Sequence, residues 1–157
     1  MKITAKLSAE SLRKAAAEVR AYKARIEKLA VELTAELAAQ GKQIALVEAA
    51  DIRDTGKLLS SIVEEHSGNY GYVKCKCGYA VYVEFGTGVV GSRKPHPDIS
   101  IAGWKYDVNG HGELGWWYPG KDGKYHWTKG MPSRPFMYNT AQQLRKIVIP
   151  TARGLMS

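Results

Sequence analysis

The segment YAVYVEFGTGVVG, Tyr79–Gly91, is rich in β-branched and aromatic residues up to Phe85 and then stops at Gly-Thr-Gly. That content predicts a strand over Tyr79–Phe85. Alternating side chains would place Tyr79, Val81, Val83 and Phe85 on its core face and Ala80, Tyr82 and Glu84 on the other. Glu84 then lies at the strand's end, able to accept bonds from nearby amides or to pair with an arginine. Arg134, held between Pro132 and Pro135, is the candidate partner. Gly86-Thr87-Gly88 predicts a sharp corner with a backbone that few side chains permit.

Upstream, SIVEEHS (61–67) and YGYVKCKC (70–77) predict two further strands, punctuated by SGNYG and Gly78. Connections this short imply antiparallel pairing. DIRDTGKLLSSI (51–62) predicts a break and then a short helical turn, with Asp54 or Thr55 as cap and Leu58, Leu59 and Ile62 as its apolar face. Before it comes a long helix with Ser8 as N-cap and Glu10 in its first turn. Leu12, Ala15, Val19, Tyr22, Ile26, Leu29 and Leu33 recur at spacings of three and four, forming one apolar stripe. A coiled coil would read the same way, but the stripe is short, and packing against the chain's own sheet is the favoured use. Gly41 is expected to kink or end the helix, with KQIALVEAA resuming it.

Downstream, residues 91–131 hold all four tryptophans, with frequent glycine, and are expected to form an extended aromatic-rich loop region. Within it WWYPGKDGKYHWT (116–128) predicts a hairpin turned at Asp122-Gly123. The C-terminal stretch predicts a helix of about ten residues, interrupted or ended by Pro150. The expected architecture is α+β. One domain spans 1–157, with an antiparallel sheet packed against a long N-terminal helix and a C-terminal helix, and an aromatic-rich hairpin insertion.

A chain of 157 residues suits one domain and can bury about 70% of the surface its unfolded form exposes. The net charge is +8, and residues 91–157 carry ten Lys/Arg against four Asp/Glu. Such an excess suits an acidic partner or nucleic acid, and equally a solvated surface. The start of the chain lacks the apolar run of a secretory signal, and no stretch approaches a membrane span, so a protein made in the cytoplasm is expected. Cys75 and Cys77 lack zinc-ligand spacing, and His66, His96, His111 and His126 supply no recognised second pair. No metal and no cofactor are expected.

Catalysis needs a base beside a nucleophile, or paired carboxylates, and nothing pairs Glu84, Asp98, Asp107 or His126. GTG and GVVG are too short for a phosphate loop and lack its Lys-Ser/Thr. No enzyme is expected. Aromatics among basic residues, Trp116 and Trp117 with Lys121, Lys124 and Lys129, could contact nucleic acid or a protein partner, or could form the loop's own small core.

Three blocks in order, TGKLLSSI (55–62), YAVYVEFGTG (79–88) and MPSRPFMYNTA (131–141), resemble the gene-product-10-like tail component family of tailed phages and prophages. Together with the N-terminal helix they cover most of the chain. The resemblance implies a non-enzymatic virion protein, made in the bacterial host cytoplasm and placed at the neck or tail. There it would join head to tail or complete the tail as a sixfold homo-oligomeric ring. Its partners would be other neck, connector or tail-tube proteins, with transient contact to genomic DNA and none to membrane. Tyr82, Glu84, Phe85, Gly86, Thr87 and Gly88 match the family's "VEFGT" block, and Arg134, Pro135 and Phe136 its "RPF" block. Thr55 and Gly56 open the first block. These residues are expected to define fold corners near subunit contacts. Residues 91–131 are longer than in the shortest relatives.

Overall fold

A computed structural model describes residues 8–52, 56–98, 100, 103–107, 110 and 114–156. The first helix, α1, runs Ala9–Glu48, its N-terminus capped by the Ser8 side chain, which accepts from Ser11 N at 3.2 Å. It passes through Gly41 without a break, contrary to the expected kink. Gly41 is buried, and a Cβ there would lie 2.7 Å from Val73 Cγ2 and 2.9 Å from Leu144 Cδ1. The glycine admits close neighbours, and that packing offsets its poor helix propensity.

A turn of helix, α2 (Lys57–Ser60), follows. The position before it is Gly56, with left-handed φ of 75°. The expected caps, Asp54 and Thr55, lie outside the described residues. Strands β1 (Ile62–Ser67) and β2 (Tyr70–Cys75) form an antiparallel hairpin with Ile62 opposite Cys75 and Ser67 opposite Tyr70. Lys42 ties α1 to β1 through Glu64 at 2.6 Å.

The expected third strand is a helix. Residues Ala80–Phe85 form α3. Its buried residues are Ala80, Val83 and Glu84, spaced three and four apart, whereas Val81 and Tyr82 are exposed. The alternating core face Tyr79–Val81–Val83–Phe85 is therefore wrong, and Glu84 points inward. Gly78 leads into this helix rather than a hairpin, and the first sheet has two strands. A strand through residue 77 would put Cys75 and Cys77 on one face, and the structure does not form it. Strand β2 ends at Cys75, half-buried beside Ser61 Oγ at 3.3 Å, while Cys77 packs in the core; both are free thiols.

Next come α4 (Gly88–Arg93) and a second antiparallel hairpin, β3 (Trp116–Pro119) with β4 (Tyr125–Thr128), which pairs Trp117 with Trp127 as the Asp-Gly signal predicts. The last helix, α5, spans Phe136–Met156, about twice the expected length. It continues past Pro150 because the residues there are exposed, so the carbonyl that loses its proline partner can face water. It runs antiparallel to α1: Asn139 and Gln143 donate to Glu48 at 2.8 and 2.5 Å, and Thr151 donates to Gln40 at 3.5 Å.

The core gathers Ala45 and Ala49 at the C-terminal end of α1, Leu58, Ile62, Cys77, Ala80, Val83 and Phe136. It occupies only one end of α1. Every residue from Ala16 to Lys28 is exposed, so the expected packing of the whole apolar stripe on the sheet does not occur. The α+β architecture, with helices packed on a small antiparallel sheet, is as expected.

Candidate functional site

Glu84 ends α3 beneath the first turn of α5. Its Oε2 accepts from Met137 N at 2.9 Å and its Oε1 from Tyr138 N at 2.8 Å. These amides have no partner within their own helix, and a carboxylate at a helix N-terminus also meets the positive end of the helix dipole. The expectation of amide partners holds; the Arg134 partnership does not. Arg134 donates its backbone N–H to Val83 O at 2.9 Å and turns its exposed side chain toward a groove on the other side.

The carboxylate's third partner is His96, which sequence reasoning considered only as a metal ligand. His96 Nε2 donates to Glu84 Oε1 at 3.2 Å, and its Nδ1 lies 3.1 Å from Asp98 N and 3.2 Å from Asp98 O. His96 is 3% exposed and Glu84 8%. The imidazole sits between Phe85 and Tyr138, with ring centroids 4.7 and 5.1 Å away. Asp98 itself is held below the usual carboxylate range, first by the Ser100 hydroxyl and then by the Ser100 amide. Nothing in the KPHPD context marks His96 for this role; only the fold brings it there.

Beside Glu84 the chain turns through Gly86 and Gly88, with φ of 78° and 60°. A Cβ at Gly86 would meet Ser133 N at 2.6 Å, and one at Gly88 would meet Lys129 O at 2.5 Å. Thr87 between them pairs with Met131 in both directions, N to O at 2.9 Å and O from N at 3.1 Å. Ser133 Oγ donates to Glu84 O at 2.5 Å, and Trp104 Nε1 donates to Gly86 O at 3.1 Å while its ring lies over Phe85. Phe136 is fully buried behind this corner.

Comparison of the chain with protein-family models, with curated proteins and with solved structures returns no match.

A groove of about 850 Å³ runs between this corner and the second hairpin, and Gly56, Tyr82, Thr87, Trp116, Lys121 and Arg134 all reach its wall. Those six expected site residues are thus brought together, while Glu84, Phe85, Gly86, Gly88, Pro135 and Phe136 do not line it. Trp117, Lys124 and Lys129 do not line it either. They lie exposed on or just after the hairpin, with Trp117 packed edge-on to Trp127 at 5.4 Å. At the hairpin tip Asp122 accepts from Lys124 N at 3.1 Å and bonds His126 Nε2 at 2.9 Å, and the histidine is the main cause of its lowered pKa.

Chemically the corner fixes chain geometry. Both Glu84 oxygens are engaged and shielded from solvent, so the residue is not poised as a general base. Among the described residues no cluster of three or more His, Cys, Asp or Glu could hold a metal, and no helix is long and apolar enough to cross a membrane.

Proposed function

We propose that this chain is a structural virion protein of a tailed phage or prophage, acting at the neck to join head and tail or to complete the tail as a sixfold ring. The observation that carries the reading is the corner itself. The segments that resemble the "VEFGT" and "RPF" blocks are hydrogen-bonded to each other through Glu84, Thr87, Met131 and Ser133. The first block, residues 55–62, supplies Leu58 and Ile62 to the same core as Phe136. The residues that carry the resemblance thus form one physical unit, as a shared fold requires, and that unit anchors a subunit with large apolar side chains left on its surface.

In this reading the protein works without chemistry or cofactor. It seats against itself and against other neck, connector or tail-tube proteins, with its basic excess guiding encounters with acidic surfaces or passing DNA. The test is electron microscopy of particles from the parent phage or prophage after deletion of this gene. Separate filled heads and free tails, rejoined by the purified protein, are expected; intact virions would sink the reading.

A second reading, a nucleic-acid-binding module in residues 91–157, is favoured by one feature. Trp117, Tyr125 and Trp127 stand exposed near Lys121, Lys124 and Lys129, the mixture that stacks bases and neutralises phosphates.

A further inference from the structure

Along the first half of α1, residues 16–28 stand exposed, away from the core formed by the described residues. Leu12 is 52% exposed, Val19 53%, Tyr22 44% and Ile26 38%, whereas Ala45 at the other end of the helix is fully buried. The antiparallel partner α5 ends at Met156, and its Thr151 meets α1 at Gln40, well short of the exposed half. A helix this exposed gains little stability from propensity alone; apolar packing ordinarily supplies most of it.

We infer that this half-helix is a coiled-coil seam that pairs in parallel with the same segment of a second copy of the chain. The first argument is the repeat. From Leu12 to Leu33 the apolar residues alternate strictly at three and four, a period of about 3.5 residues, which keeps a narrow seam facing another supercoiling helix. A helix lying on a sheet or a broad core shows a wider stripe, and the remaining faces of this segment are filled by Lys, Arg, Glu and Ala, apart from Val31 on the far side.

The second argument is residue type. With Leu12 at the first core position of the heptad, Val19 and Ile26 fall at the equivalent positions and Leu29 at the alternate one. Leu33 closes the first set, and Ala15 and Tyr22 complete the second; within this seam the β-branched Val19 and Ile26 at the first position, with Leu29 at the second, are the residue types that favour two parallel strands. The third is charge. In that register Glu18 flanks the seam on one helix where Lys23 flanks it on the other, and the twofold axis makes this pairing twice. The seam therefore complements itself in spacing and in charge. The inference stands independently of the neck reading, because it concerns purified protein and needs no phage.

The experiment is sedimentation equilibrium of the full chain across a dilution series, with two sets of variants. The unsubstituted protein is expected at twice its 17.3 kDa chain mass at the concentrated end. Val19→Asp with Ile26→Asp should return it to the single-chain mass while the NMR signals of Trp104 and Phe136 stay in place, since both seam residues lie outside the core. Leu12→Cys should form an intermolecular disulfide on mild oxidation, absent from the unsubstituted protein, because only parallel pairing brings two copies of residue 12 together. A protein that stays at single-chain mass throughout overturns the inference. So does an oligomer whose mass the double substitution leaves unchanged, or a dimer in which Leu12→Cys forms no such bond.

Discussion

Tyr138 of α5 donates its backbone amide to Glu84 Oε1 at 2.8 Å, across 54 residues of chain. The helix is thus capped by a side chain from a distant helix, which ties the two blocks together in the folded chain.

Removing that cap should be costly. Glu84→Ala strands two helix amides and the His96 proton in a buried site, and a loss of about 3 kcal/mol is expected. Glu84→Gln keeps one acceptor oxygen and should lose roughly half as much. Urea unfolding with an unchanged m-value reads both. An alanine variant as stable as the parent would show that the cap contributes nothing.

Gly130 tests the corner from the other side. Its φ is +97°, and a Cβ would sit 1.9 Å from Thr87 O, a backbone atom that cannot swing away. Gly130→Ala should therefore cost about 3 kcal/mol or prevent folding, whereas Gly123→Ala, with left-handed φ but open space, should cost about 1 kcal/mol. Thermal melts of the two proteins side by side settle the contrast.

The hairpin tip should be acid-sensitive. Asp122 is bonded to His126 and to the Lys124 amide, which lowers its pKa from the ordinary 3.8. A depressed folded-state pKa gives a contribution fully present above the unfolded value and lost as pH falls through the folded one. The Trp117 and Trp127 signals should accordingly hold steady above about pH 4 and shift together below it. Asp122→Asn should abolish that step. Because the Asp122 side chain is half exposed to solvent, global stability should barely register the change.

Replacing Lys121, Lys124 and Lys129 with Ser separates the two functional readings. Head–tail rejoining by the purified protein should survive the change. If the hairpin is instead a nucleic-acid site, the parent protein should bind single-stranded DNA with a steep salt dependence and the variant should lose it. Filter binding at several salt concentrations distinguishes the cases.

Much of the fold was legible because its signals are local. Ser8 and the three-four stripe mark α1, the SGNYG turn marks the β1–β2 hairpin, and Asp122-Gly123 marks the second. Tyr79–Phe85 was misread because Val81, Tyr82, Val83 and Phe85 suit a strand in isolation, while only tertiary packing of Ala80, Val83 and Glu84 reveals the helical face. Gly41 and Pro150 misled for a related reason. Each breaks helices on average, but one fits a tight contact and the other a solvated face. The site was half legible: Glu84 and Gly-Thr-Gly stood out, whereas His96 and the α5 amides meet the carboxylate through contacts that sequence spacing does not encode.

Gly41 also sets where the far end of α1 can go. From Gly41 to Ala9 the helix is a rod of ~48 Å, and a tilt of roughly 10° at its buried base swings the tip by about 8 Å. The contact of Gly41 with Val73 and Leu144 therefore works as the pivot of a lever, and its tightness fixes the aim of a surface many turns away. A methyl group added there would press on the ends of the Val73 and Leu144 side chains, and whatever part of that strain α1 relieved by tilting would be magnified at the tip.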